Sequence, residues 1–395
     1  MNALFPSRIL RGLAGIILAL LGLAAIGLFA PSIPVLGEVG PLLMASHGPW
    51  ISILALVGAI WAGVRWRRNR RRMAFVVALL ALTATLGMTF GQLRQISVAQ
   101  ANDVKIDLAQ ALLASGQAVG SAVPQTIIYA RQGGQDLPID IYKPVGAASG
   151  RSAPIFIYVH GGGWGAETLR QRQADLRWFS ERGYLVMSFE YPLATEDRPT
   201  WNVTQPLLGC ALVWAKANAA QLGGDPARMA LWGESAGGNL AINIAYMANA
   251  GTLKPACAGS LPKIGAIAAL YPVVDPERMY HNPAPLIGVF GRMMTTRYTG
   301  GTPAQYPDRY HEIGSATHIT AKAPPTLLII PEADHLVVPE AAYAFAEKAS
   351  AAGIKARLLR MPFAEHSFDL RSGSIGNQFV RQAMLGFLAE NGLEP

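Results

Sequence analysis

Charge is scarce in this chain and unevenly spread. Only 15% of its 395 residues are charged, well below the quarter usual in soluble domains, and the mean hydropathy is +0.26. Such a composition excludes a solvated, disordered polypeptide and is too apolar for an ordinary soluble enzyme. Acids are nearly absent from the first quarter, where residues 1–95 hold nine arginines against the single Glu38. The other 300 residues carry 24 basic and 24 acidic side chains, so the whole net charge of +8 belongs to that quarter. The basic pI thus gives no support to nucleic acid binding by the bulk of the protein. Cysteine is also rare, with Cys210 and Cys257 alone, too few for a thiolate metal site. There is no His-Glu-x-x-His motif and no glycine-rich phosphate loop ending in Gly-Lys-Ser/Thr, so no metal and no cofactor are expected.

What the first quarter does have is long apolar runs. Residues 12–30, 42–64 and 73–90 carry no charge, and each approaches the ~20 residues that cross a bilayer. Trp50, Trp61 and Trp66 sit near the ends of the second run, where interfacial aromatics collect. Between the second and third runs lie six arginines in eight residues, Arg65 to Arg72. Flanked by two spans, such a cluster marks a cytoplasmic loop, whereas the 31–41 loop has no lysine or arginine. With Arg8 and Arg11 holding the N-terminus inside, three transmembrane helices over about 12–30, 42–64 and 73–90 place the rest of the chain on the outer face of the membrane. Other readings of these runs are a cleavable signal peptide for the first and a buried soluble helical domain. In an outer compartment Cys210 and Cys257 are free either to pair or to remain thiols.

The expected organisation is a membrane region (1–95), a linker with a short helix (96–124) and a catalytic domain (125–395). In the last, strands are expected at 126–130, 137–142, 154–159, 185–189, 229–232, 264–270, 326–330 and 355–360. Helices are expected around 168–182, 202–220, 236–250, 339–352 and 377–390. The first two strands flank Gly133-Gly134 as an antiparallel hairpin. The later alternation means a mostly parallel sheet covered on both faces. Eight strands with a sharp turn after the fifth is the arrangement of the α/β-hydrolase fold. Residues 278–322 form an insertion rich in methionine and aromatics, read either as a partial lid over an acyl pocket or as a segment packed on the core.

That sharp turn is Gly233-Glu234-Ser235-Ala236-Gly237. A serine between a strand and a helix, with glycine two residues before and two after, is a nucleophile elbow. Catalysis there needs a base, a group to orient it and donors for an oxyanion. His160-Gly161-Gly162-Gly163-Trp164, after the third strand, supplies the donors: the amides of Gly162 and Gly163, joined by that of Ala236. Trp164 and Glu234 are expected to contact substrate. His366, on the loop after the last strand, is the expected base, with His160 bracing the glycine loop. Asp334, just beyond the seventh strand, is the expected acid, and Asp275 is its rival.

In these motifs the chain resembles the hormone-sensitive-lipase-like branch of the α/β-hydrolases, the microbial carboxylesterase and acetyl-esterase group. The resemblance runs over residues 125–392 and rests on four features: the His-Gly-Gly-Gly-Trp loop, Gly-Glu-Ser-Ala-Gly-Gly at 233–238, Ala-Pro-Pro-Thr-Leu-Leu at 323–328, and Glu365-His366-Ser367-Phe368. It departs from that branch at Glu190-Tyr191-Pro192, where Asp-Tyr-Arg is common, and at Ser367, where glycine is frequent. It implies hydrolysis of a small-molecule carboxylic ester, short-chain or acetyl, by Ser235, His366 and Asp334 through an acyl-enzyme. Peptidase or acyltransferase chemistry, and a binding module that lost catalysis, are the alternatives. Nothing in the sequence fixes the oligomeric state.

Overall fold

The computed structural model describes residues 8–113, 122–145 and 152–395. They divide into two compact units that do not follow the chain. The first contains the N-terminal helices together with Pro331–Ala333 and Met361–Phe379, and the second contains the remainder. Two short C-terminal segments thus group with the helices, beyond the expected membrane region of 1–95.

The helical unit is built from α1 (Arg8–Gly27), α2 (Leu36–Asn69), α3 (Arg72–Ala101) and the short α4 (Leu108–Leu113). The first three are long and apolar enough to cross a membrane. Leu20, Val57 and Leu86 are each about 60% exposed, a display of apolar surface that water would penalise. Inward, Ala25, Leu28, Met44, Ile51, Ala55, Ala84 and Met88 form a common core. α3 runs eleven residues beyond the expected end at 90, into the expected linker. Its buried stripe continues through Met88, Gly91, Gln95 and Ala99, the three- and four-residue steps of one helical face, so the helix outlasts its apolar run. Phe363 from the C-terminal segment packs on this core, its ring 5.4 Å from Phe29 and 5.9 Å from Phe90. Beside it, Gln95 Nε2 donates to the Pro362 carbonyl at 3.0 Å. Gln378 clasps the backbone of Asp107 through both ends of its amide, and Arg371 Nη2 donates to the Ala111 carbonyl.

The second unit holds an eight-stranded sheet: β1 (Gln125–Gln132), β2 (Gln135–Tyr142), β3 (Ala153–Val159), β4 (Leu185–Phe189), β5 (Gly224–Glu234), β6 (Ala266–Leu270), β7 (Thr326–Pro331) and β8 (Ala356–Met361). The order across the sheet is β1-β2-β4-β3-β5-β6-β7-β8. β2 runs antiparallel to both β1 and β4, while β4, β3, β5, β6 and β7 run parallel. Every residue of β3, β4, β6 and β7 is buried, because parallel strands have helices on both faces. Those helices are α5 (Gln173–Ser180), α6 (Thr204–Asn218), α7 (Ser235–Ala250), α11 (Pro339–Ala351) and α12 (Ile375–Glu390), with α8 (Pro276–Tyr280), α9 (Gly288–Thr299) and α10 (Pro307–Ile313) in the insertion. The eight strands and the elbow after the fifth match the α/β-hydrolase arrangement. Parallel register aligns Val159 with Gly233, Glu234 with Leu270, and Leu270 with Ile329. The carboxyl ends of β3, β5, β6 and β7 thus share one edge, the usual place for a site in such sheets.

The insertion is amphipathic. Met279, Tyr298, Tyr310 and Ile313 are buried, whereas Leu286, Val289, Phe290 and Met293 are exposed, so it is in part core and in part an uncovered apolar face. Cys210 of α6 and Cys257 form a disulfide with their Cα atoms 5.7 Å apart, 47 residues apart in sequence. Cross-linking a loop of that length constrains the unfolded chain by about 2–4 kcal/mol. Cys210→Ser is therefore expected to lower the free energy of unfolding by about that amount, and reductant should move wild type to the variant's denaturation midpoint. A variant that melts with wild type under oxidising conditions would show the bridge to be idle.

Candidate active site

At the end of β5 the chain turns into α7 within one residue. Ser235 takes φ +52°, a left-handed conformation that costs a non-glycine residue about 1 kcal/mol or more. The turn is enforced by contact of backbone on backbone. A Cβ on Gly233 would lie 2.3 Å from the Gly237 carbonyl oxygen, and one on Gly237 would lie 2.2 Å from the carbonyl oxygens of Val159 and His160. Only glycine allows the end of β3, the turn and the start of α7 to approach so closely. Ser235 is buried, at 8% exposure, where β5 meets α7 at the sheet edge. Val273 N donates to the Ser235 carbonyl at 3.1 Å, tying the turn to the segment after β6.

Glu234, expected to contact substrate, is instead buried with both carboxylate oxygens engaged. Tyr158 donates to Oε1 at 2.6 Å; Arg172 donates to Oε2 through Nε and Nη2, and the Tyr271 hydroxyl at 3.2 Å. Arg172 is in turn 3.5 Å from Asp175, which accepts from Arg381 Nε at 2.6 Å. A carboxylate in the core must be compensated in this way. Burial, followed by the charge of Glu234, pushes the Tyr158 phenol well above its ordinary range, so it stays a proton donor to Glu234. This network fixes the residue next to the serine. Nothing in the sequence around Arg172 or Tyr271 signalled it.

The glycine loop after β3 runs left-handed at Gly162 (φ +90°), Gly163 (φ +59°) and Trp164 (φ +58°). Its turn closes with Gly165 N and Ala166 N donating to the Gly162 carbonyl. Among the described residues, the N–H groups of Gly162 and Gly163 have no protein acceptor, and the Ala236 N–H belongs to the first turn of α7, where helices leave donors over. Trp164 is fully buried, stacked on Tyr298 with ring centroids 4.6 Å apart and planes 4° apart. Its ring thus packs the loop against α9. His160 is buried, its Nε2 donating to Glu190 Oε1 at 2.8 Å and its ring stacking on Tyr191 at 4.2 Å. The Tyr191 hydroxyl donates to the carbonyls of His160 and Gly161. His160 thus braces the loop, and Glu190-Tyr191, where the motif departs from the common one, supplies the brace's partners.

Asp334 is 4% exposed, and its Oδ1 accepts from Leu336 N at 2.9 Å and Val337 N at 2.8 Å. Two amides on one oxygen hold the carboxylate plane. Asp275, the rival acid, is exposed and caps α8, accepting from Arg278 N at 3.0 Å. His366 lies in the other unit, on the segment Met361–Phe379. Phe363 (φ +56°) and Ser367 (φ +61°) kink that segment on either side of it. Ser367 adopts the backbone region that favours glycine. His366 N donates to Glu365 Oε1 at 2.9 Å. Within this unit Glu332 N donates to the Met361 carbonyl and Ala333 N to the Ala364 carbonyl, at 2.9 and 3.0 Å. Ser235, Asp334 and the glycine loop belong to the sheet unit.

Known proteins share this architecture. Esterase LipQ of Mycobacterium tuberculosis is 29% identical over 261 residues, covering 65% of this chain and 60% of LipQ, so the chain spans about three-fifths of that relative's length. Carboxylesterase NlhH of the same species is 35% identical over 114 residues, covering 29% of this chain and 34% of NlhH. Among solved structures, esterase 2 of Thermogutta terrifontis phosphonylated by sarin matches with a TM-score of 0.59 at 22% identity, covering 70% of this chain and 97% of the other. The same esterase with propionate bound matches at 0.57 and 23%, covering 70% and 97%. The family model described as BD-FAE matches residues 139–349, more than half of the chain, and the chain therefore belongs to the BD-FAE family.

Proposed function

We propose that the protein is a membrane-anchored carboxylesterase that cleaves short-chain acyl esters through an acyl-enzyme on Ser235. The observation that carries this reading is the elbow: a strained serine at the sheet edge, near a glycine loop whose amides have no protein acceptor among the described residues. The names of its relatives, esterases and carboxylesterases, agree with it. In the proposed mechanism His366 accepts the Ser235 proton as the hydroxyl attacks the ester carbonyl. Asp334 holds the imidazole tautomer and offsets its positive charge. The oxyanion is received by the amides of Gly162, Gly163 and Ala236, each worth ~3–4 kcal/mol in the transition state. His366 then protonates the leaving alcohol, and water, activated by the same base, releases the acid. Support for this pairing of base and acid comes from the chain order Ser235, Asp334, His366, which is the order that the α/β-hydrolase fold uses. The short acyl chain is favoured by propionate in the related Thermogutta esterase.

Anchoring is proposed from the three apolar helices and orientation from the arginine loop between α2 and α3, which belongs on the cytoplasmic side. The catalytic unit would then face outward, in a compartment that tolerates the Cys210–Cys257 disulfide.

A fluorophosphonate probe is expected to label wild type and not Ser235→Ala, with hydrolysis of p-nitrophenyl acetate or butyrate falling by about 10⁴ or more in the variant. Retained turnover in Ser235→Ala would move the chemistry elsewhere, and a preference for palmitate over butyrate would overturn the short-chain assignment. Phe363→Ala loosens the segment that carries His366. It should lower kcat by about 10–100-fold with KM little changed, and Phe363→Leu should recover most of the loss. A proportionate rise in KM would point instead to a binding role. An alkaline phosphatase reporter at the C-terminus should be active, and green fluorescence from a C-terminal fusion in the cytoplasm would refute three crossings.

A further inference from the structure

The arginine-rich ends of the three long helices enclose a cavity of about 740 Å³, within the range of small-molecule sites. It is lined by Arg11 of α1, Arg65 near the end of α2 and Arg71 just before α3, and by apolar side chains that include Ile16 of α1 and Leu80 of α3. Arg65 is half-buried, its guanidinium 4.9 Å over the Trp61 ring, an orientation that packing holds in place. Gly12 opens the α1 wall: a Cβ there would meet nothing within 4 Å. The helices supply no counter-charge at this end. The only acid in residues 1–95 is Glu38, in the first turn of α2, 27 residues and about 40 Å of helix away from Arg65.

The geometry points to a binding site for one anionic phospholipid, its phosphate on Arg65 and Arg71 and an acyl chain along Ile16 and Leu80. A cavity lined by both arginines and apolar side chains offers partners to that ligand's phosphate and to its acyl chain, as basic pockets between helices on the cytoplasmic side do. The site rests on the membrane reading above but is independent of the esterase reading. Bound there, the lipid would join α1, α2 and α3 at the end remote from Phe363, so it would stabilise the bundle.

The test uses the full-length protein in phosphatidylcholine nanodiscs, with lipid counted by native mass spectrometry and unfolding followed thermally. Phosphatidylglycerol is expected to bind at one per chain and raise Tm, while extra phosphatidylcholine and free inorganic phosphate do neither. Arg65→Ala with Arg71→Ala should weaken phosphatidylglycerol binding about thirtyfold, at ~1 kcal/mol for each arginine. Arg67→Ala with Arg68→Ala removes the same charge outside the cavity and should leave binding intact. Gly12→Leu fills the cavity without altering charge and should abolish binding, which keeps the test decisive if the arginine pair fails to fold. Equal loss in both arginine pairs, tight binding in Gly12→Leu, or an equal response to inorganic phosphate alone overturns the site. A failed topology reporter leaves these readouts unchanged, so the two readings fail separately.

Discussion

The contact of Gly237 with the carbonyls of Val159 and His160 sets the geometry on which the catalytic unit depends. Those two carbonyls belong to the last residue of β3 and the first of the glycine loop. Gly237 belongs to the first turn of α7, so one contact fixes the distance between the proposed nucleophile and the proposed oxyanion donors. A methyl group at this position would have to displace main chain from both elements at once. Parallel pairing of Val159 with Gly233 fixes the same separation from the sheet side. The left-handed Ser235 is the local cost of this arrangement, and the buried Glu234–Arg172–Asp175–Arg381 chain holds the neighbouring backbone against relaxation.

Much of this was readable from residues. Strands came from short β-branched and apolar runs, and the limits of β4 and β7 agree with expectation within a residue. The elbow and the glycine loop were legible because the backbone conformations they require leave glycine in fixed places. Glu234 and Trp164, expected to contact substrate, are both buried: both adjoin the elbow or the glycine loop in sequence, and adjacency does not tell which way a side chain points. Glu234 turns into the core because Tyr158, Arg172 and Tyr271, from three separate elements, converge on it. Trp164 turns inward onto Tyr298, more than a hundred residues away. Pairings of this length leave no periodic trace, and neither did the disulfide, for which spacing alone was compatible with two thiols.

The boundary between regions was the least legible feature. Hydropathy ends at Phe90, but α3 continues because Gln95 and Ala99 stay on its buried face, with Gln95 satisfied by the Pro362 carbonyl. A polar side chain in a buried stripe reads as a break in sequence and as a latch in the fold. The loop expected after the last strand, around His366, likewise reads as part of the catalytic domain, although Phe363 packs among Phe29 and Phe90 of the helices.

Phe363 carries an evolutionary corollary. Its ring is accommodated by Phe29 and Phe90, neither of which has any counterpart in a relative built from the sheet unit alone. In such a relative a phenylalanine at this position has nothing to pack on, and a polar residue serves better. Acquisition of the helices and the identity of this side chain are therefore coupled, so positions 29, 90 and 363 should change together wherever the N-terminal region is retained and drift apart wherever it is lost.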